Sequence, residues 1–130
     1  MIFRKTVKGN NLIYKIEGNM SFDSISSIDR LRLDIKNTSM KGRYNYIWDL
    51  SACPIISEPG VSAIVMTISI AMRTNNETIL CGLNDENFEL LKSFHIINQL
   101  RIFDTVETVF DENYEQPEIL EFPENGIEWI

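Results

Sequence analysis

The sequence predicts an α/β fold in which about four helices pack on a mixed β-sheet of four to five strands. Short runs rich in β-branched and aromatic residues alternate with longer segments whose apolar residues recur at helical spacing. Only Gly9-Asn10-Asn11 separates the first two runs, which is typical of an antiparallel hairpin. Helical segments separate the later runs, so the sheet combines a hairpin with strand–helix connections.

The predicted strands begin with that hairpin, since Gly9 and Asn10 both tolerate a positive φ. The third run is largely apolar through Tyr46-Ile47-Trp48, which predicts a central strand covered on both faces. The predicted strands span residues 2–7, 12–17, 44–50, 78–83 and 101–103.

The first predicted helix has Ile25, Ile28, Leu31 and Ile35 near helical spacing, with Ser21 and Asp23 available as caps. The second spans about 59–73. Asn84 is expected to cap the third, whose inner stripe is Phe88, Leu91 and Phe94. Asp104-Thr105-Val106-Glu107 has the spacing of a capping box and opens a final helix near Phe110.

The chain divides into a domain at 1–110 and an acidic tail at 111–130. The tail carries seven acidic residues and no basic ones. A segment of this composition can be disordered, but its apolar residues favour partial docking on the domain. These residues are Ile119, Leu120, Phe122 and Trp129.

Composition excludes several functional classes. A net charge of −7 argues against nucleic acid as the main partner. The N-terminus lacks a secretory apolar region, and the longest uncharged stretch, 60–72, is too short to cross a bilayer. We therefore expect a cytoplasmic protein without direct membrane insertion.

No catalytic, metal or cofactor site is expected from the chemistry-bearing residues. Cys53 and Cys81 lack metal spacing and are predicted as small core residues. His95 is the only histidine, and it is predicted to end a helix at positive φ. The enzyme alternative rests on Asp49 and Glu58, which could in principle bracket a pocket at the sheet's carboxyl edge.

The junction Ser57-Glu58-Pro59-Gly60 opens the second helix. Pro59 is predicted at the first helical position, with Glu58 outside the helix at or near the N-cap. The Glu58 carboxylate would then lie beside the unpaired N–H groups and the positive end of the helix dipole. Ser57 is a competing cap.

The uncharged helix is predicted to expose an apolar strip. Its inner face is predicted to contain Val61, Ile64, Val65, Ile68 and Met72, and its outer face Pro59, Ala63, Met66 and Ile70. The outer strip suggests a docking surface, although the acidic tail could also cover it. The predicted partner-binding residues are Ser57, Glu58, Pro59, Ser62, Met66, Ile70 and Arg73.

Several segments resemble STAS domains, the family of anti-sigma factor antagonists. Asp49-Leu50-Ser51 followed by residues 56–64 resembles its "DLS…IDSSGLGAL" segment. Residues 90–97 and 102–107 resemble its "LLELTGL…IFDTVEEAL" segment, and residues 16–20 its early "L.G.LD" strand end. The resemblance covers residues 1–110 and implies a STAS-like fold.

The resemblance also implies a function. In the family, a serine at the start of this helix is phosphorylated by a partner anti-sigma kinase. That position falls on Glu58, which cannot accept phosphate and resembles a fixed, weaker imitation of the phosphorylated state. Ser57 is a weak substitute. The implied function is non-enzymatic binding of an anti-sigma factor or switch-type kinase.

The same fold also fits a cytosolic STAS subunit of a membrane lipid-transport ATPase complex. Some such members lack a usable phosphoserine, so Glu58 does not exclude this alternative. Whether the chain forms a homodimer stays open at the level of sequence.

Overall fold

The computed structural model describes residues 1–111, which form five strands and four α-helices and confirm the predicted fold class. The strands are β1 (Ile2–Lys8), β2 (Asn11–Glu17), β3 (Asn45–Ala52), β4 (Thr78–Cys81) and β5 (Arg101–Phe103). The helices are α1 (Ile25–Ser39), α2 (Glu58–Arg73), α3 (Asp85–Ser93) and α4 (Val106–Val109). The predicted docking of the tail lies outside the described residues.

The sheet is mixed, with strand order β1-β2-β3-β4-β5. Strands β1 and β2 form the predicted antiparallel hairpin, with Ile2 opposite Glu17 and Gly9 at a φ of +62° in the turn. The remaining neighbours pair in parallel, and each of these pairs is joined by a crossover connection that contains an α-helix.

Two hydrophobic cores lie on opposite faces of the sheet. The larger one packs α1, α2 and α3 against one face, and Trp48 at its centre is fully buried. The Trp48 indole donates to Thr67 Oγ1 at 3.1 Å, which ties α2 to β3. The smaller core packs α4 on the other face, over Ile47, Ile79, Cys81 and Phe103. Strand β3 is therefore covered on both faces, as predicted.

A partly buried polar cluster joins the hairpin to α1. Tyr14 Oη donates to Asp34 Oδ2 at 2.8 Å, and Lys5 Nζ lies 3.2 Å from both Asp34 oxygens. Lys5 also donates to Thr38 Oγ1 at 3.1 Å. Burial and the neighbouring Asp34 carboxylate raise the pKa of Tyr14 well above its usual range.

Several predicted helix ends were wrong by a few residues. Neither Ser21 nor Asp23 caps α1, because a 3-10 turn at Phe22–Ser24 intervenes. The capping box of α4 uses Thr105 and Thr108 instead of Asp104 and Glu107. In both places neighbouring residues have similar capping chemistry, and the path of the chain decides which one caps.

The predictions for α3, His95 and the two cysteines were partly confirmed. Asn84 caps α3 by accepting from Asn87 N at 2.8 Å. Leu91 is buried, but the predicted inner residue Phe94 lies beyond the helix and is 41% exposed. His95 has a φ of +59°, as predicted, and Cys53 and Cys81 are both buried free thiols.

Candidate functional site

The start of α2 is held by backbone hydrogen bonds to the chain that follows β2. Met20 N donates to Ile55 O at 2.9 Å, and Ser57 N donates to Met20 O at 2.8 Å. Gly60 packs against the same point, since a Cβ there would lie 2.7 Å from Met20 Cβ. Only glycine permits this close approach, so the first turn of α2 has a fixed position.

A buried asparagine holds the loop that leads into α2. Asn87, 4% exposed, accepts from Ile56 N at 3.0 Å and donates to Cys53 O and Pro54 O at 3.2 Å. Asn84 Nδ2 also donates to Pro54 O at 2.9 Å. The N-terminus of α3 thus positions residues 53–56. The sequence pattern identified Asn84 as a cap but gave no signal for Asn87, whose partners lie more than 30 residues away along the chain.

The helix begins one residue earlier than predicted. Ser57 occupies the N-cap position with an extended backbone, although its side chain makes no capping hydrogen bond. Glu58 is the first residue of α2 and is exposed, and Pro59 follows it within the first turn. The carboxylate of Glu58 therefore lies in the first turn of the helix, where the dipole favours negative charge.

The predicted faces of α2 were partly wrong. Val65 and Met72, predicted inside, are 37% and 66% exposed, whereas Ala63, predicted outside, is fully buried. Met66 and Ile70 are half-buried against the core. The helix packs on both the sheet and α1, so its buried face is wider than the sheet alone requires. The exposed stripe consists of Glu58, Ser62, Val65, Ser69 and Met72.

The two ends of α2 are far apart. Ser62 lies one turn from Glu58 and accepts a hydrogen bond from Arg32 Nη1 of α1 at 2.6 Å. Arg73 is exposed at the opposite end, about 22 Å from Glu58 along the axis. The structure therefore groups Ser57, Glu58, Pro59 and Ser62 at one end and separates Arg73 from them.

Exposed apolar side chains border this end of the helix. Ile55 is 48% exposed and directly precedes Ile56, which forms a bridge with Met20. Phe22, two residues after Met20, is 66% exposed. Their positions next to the bridge place both near the first turn of α2. No signal in the sequence marked either residue, because each is isolated in its own segment and belongs to no periodic pattern.

One cavity among residues 1–111 lies away from the start of α2. A cavity of about 300 Å³ lies at the far end of α2, between Ile68, Thr78 and Leu100, and its lining includes neither Asp49 nor Glu58. Asp49 Oδ1 accepts from the amide and hydroxyl of Ser51. Within residues 1–111, no group of three or more His, Cys, Asp or Glu side chains could hold a metal ion. No helix in this range is long and apolar enough to span a membrane.

The thiols are held in their neutral form. Burial, together with the Asp49 and Glu107 carboxylates, raises the pKa of Cys81 to about 12. Burial also raises the pKa of Cys53. A nucleophilic cysteine requires a lowered pKa, so neither thiol is activated.

These features define a small α/β domain whose candidate site is an exposed helix end. Residues 3–109 match the STAS domain family, and the chain belongs to that family. The resemblance predicted from the sequence is thereby confirmed. No curated protein gives a significant match.

Solved structures share the fold at low sequence identity. The phosphorylated form of the Bacillus cell fate determinant SpoIIAA matches with a TM-score of 0.70 and 14% identity, covering 87% of this chain and 100% of that one. An anti-sigma-factor antagonist domain protein from Planctomyces limnophilus matches with a TM-score of 0.69 and 12% identity, covering 82% and 93%. A sulfate transporter family protein from Wolinella succinogenes matches with a TM-score of 0.61 and 22% identity, covering 79% and 84%.

Proposed function

We propose that this STAS protein is a non-enzymatic regulator that binds an anti-sigma factor or a switch-type kinase in the cytoplasm. The observation that carries the proposal is the exposed stripe of α2, bordered by Phe22 and Ile55. An acidic side chain beside exposed apolar ones is suited to a protein partner, since apolar anchors supply affinity and charge supplies orientation. Its similarity in fold to anti-sigma factor antagonists supports this choice of partner.

In this proposal Glu58 is a fixed charge at the position where related proteins switch. Its carboxylate contributes one negative charge, whereas a phosphoserine contributes nearly two. Ser57 is half-buried at the N-cap of α2, and burial restricts the access of a kinase to its hydroxyl. Ser62 is exposed, but its hydroxyl is already bonded to Arg32. Binding is therefore proposed to depend on a permanent charge.

The proposal is tested first by affinity capture from the native cytosol and membranes, with mass spectrometry of the partners and of this chain. Recovery of an anti-sigma factor or switch-type kinase, with Ser57 and Ser62 unmodified, is the expected result. Recovery of a transport ATPase instead would overturn the regulatory proposal in favour of the lipid-transport alternative.

The captured complex is then titrated with variants of the stripe. Glu58→Lys and Val65→Asp are each expected to weaken binding at least about tenfold, because the first reverses the charge of the stripe and the second places a charge at an exposed apolar position of the proposed interface. Asp104→Lys is the matched control, since Asp104 is exposed near α4 on the opposite face of the sheet. Equal affinity of all three variants for the partner would show that α2 is not part of the interface.

A further inference from the structure

One part of the sheet is not covered by the helices of residues 1–111. The smaller core under α4 lies over β3, β4 and β5, and α4 has only four residues. No helix of the described residues covers the same face of β1 and β2. Its residues are Ile2, Arg4, Thr6 and Lys8 on β1, and Asn11, Ile13, Lys15 and Glu17 on β2; we call this surface the open face.

The open face combines apolar and basic side chains. Ile2 is 58% exposed, and Ile13 is half-buried at the edge of the smaller core. Arg4 lies directly opposite Lys15 in the hairpin register, an arrangement of like charges that is destabilising without a counter-charge. Glu17 pairs with Arg4 at 3.4 Å, and Asp49 is the register neighbour of Lys15 on β3. These two carboxylates offset part of the charge of Arg4, Lys8 and Lys15, so basic side chains stay in excess on this surface.

The described chain ends beside this surface. Phe110, directly after α4, packs on the smaller core, and Lys8 Nζ lies 4.1 Å from the centre of its ring. Lys8 is the last residue of β1, next to the hairpin turn. The chain therefore enters the tail at one end of the open face, on the side of the sheet opposite α2.

The tail has the complementary composition. The net charge of −7 comes entirely from its seven acidic residues, because the twelve remaining Asp and Glu balance the twelve Lys and Arg of the domain. Its apolar residues Ile119, Leu120, Phe122 and Trp129 are interspersed with these acids. We infer that residues 112–130 dock across the open face, placing carboxylates on Arg4, Lys8 and Lys15 and apolar side chains on Ile2 and Ile13.

The length of the tail permits this docking. The open face is as long as a seven-residue strand, about 23 Å. Nineteen residues reach about 30 Å as a helix and about 60 Å when extended, so either conformation spans the face. Because α2 lies on the other side of the sheet, the docked tail leaves the exposed stripe of α2 free. The inference is thus independent of the proposed function.

The test uses Trp129 as a reporter in the full-length chain. The other tryptophan, Trp48, is fully buried, so acrylamide quenching of fluorescence reports mainly on Trp129. We compare the wild type with a triple variant carrying Arg4→Glu, Lys8→Glu and Lys15→Glu. Losing one exposed ion pair between the tail and the open face changes the docking equilibrium by about twofold. The three substitutions together are therefore expected to lower the ratio of docked to free tail about tenfold. Quenching of Trp129 should rise accordingly.

The matched control is the double variant Lys36→Glu/Lys41→Glu, which changes exposed lysines in and just after α1 and should leave quenching unchanged. If the triple variant does not fold, the wild type is measured at low and high salt, and added salt should increase quenching. Equal quenching of Trp129 in all samples would overturn the inference.

Carbodiimide cross-linking identifies what occupies the open face. This reagent joins a carboxylate to a neighbouring lysine amine without a spacer. Links from tail carboxylates to Lys8 and Lys15 within a monomer are the expected result. Links between two chains would replace the inference with docking of a second copy, and links to Lys36 or Lys41 would place the tail on the helical side.

Discussion

The loop that leads into α2 depends on one buried amide, so we expect Asn87→Ala to be among the most destabilising polar substitutions in the domain. Removing the side chain takes away the acceptor of Ile56 N and the donor to Cys53 O and Pro54 O. Pro54 O keeps its hydrogen bond from Asn84 Nδ2 at 2.9 Å. Ile56 N and Cys53 O therefore lose the partner that Asn87 provided.

The size of the effect follows from these contacts. Each lost hydrogen bond contributes about 1 kcal/mol, and a buried N–H left without a partner costs about 1–3 kcal/mol. Alanine recovers about 0.5 kcal/mol through its helix propensity. The free energy of unfolding should therefore fall by about 3 kcal/mol. For a domain of this size, that corresponds to a decrease in Tm of about 10 °C.

Urea unfolding followed by Trp48 fluorescence measures this loss, and Asn98→Ala serves as the matched control because Asn98 is exposed. Hydrogen exchange adds a local measurement. The amide of Ile56 should exchange much faster in Asn87→Ala, while the amides of β3 keep the protection set by global stability. Equal stabilities of the two asparagine variants would refute the role assigned to Asn87.

Three further substitutions test the packing and protonation of the core. Gly60→Ala should lower the unfolding free energy by about 1–3 kcal/mol, since the new methyl group would lie 2.7 Å from Met20 Cβ. Urea unfolding measures this loss, and a stabilised variant would show that Met20 moves freely. Thr78→Val should raise stability by about 1 kcal/mol, because the buried Thr78 hydroxyl has no partner within residues 1–111; a lower Tm would contradict this. Alkaline pH should destabilise the protein partly through Cys81, whose pKa rises on folding from 9.0 to about 12. The thiol stays protonated in the folded state and ionises in the unfolded chain, so its contribution is complete below pH 9.0 and is lost as pH rises toward 12. Cys81→Ala should show a shallower decline in unfolding free energy over that range, and an unchanged slope would exclude Cys81 as a cause.

Local chemistry made much of the fold predictable. Gly9 at positive φ marked the hairpin, and the apolar run around Trp48 marked a strand covered on both faces. Asn84 was recognisable as a cap because its partner is only three residues away. These features depend on neighbours in sequence, where propensity and periodicity carry information.

The rest depends on tertiary contacts. Helix α2 carries no charge between Gly60 and Met72, so its sequence contained no charged residue to mark the exposed side. Packing against α1 as well as the sheet then set the rotation that exposes Val65 and buries Ala63. Asn87 gave no signal because its role arises only when α3 meets the loop before α2.

The backbone hydrogen bonds between Met20 and residues 55–57 have a consequence for recognition kinetics. They make the first turn of α2 a rigid extension of the sheet, so its surface is preorganised and a partner need not order it on binding. Among mutants of one interface, association rates vary less than dissociation rates, so differences in affinity arise mainly from dissociation. For the proposed partner, changes to the apolar residues of the stripe should therefore alter how long the complex lasts far more than how quickly it forms, whereas reversing the exposed charge of Glu58 should also change the association rate.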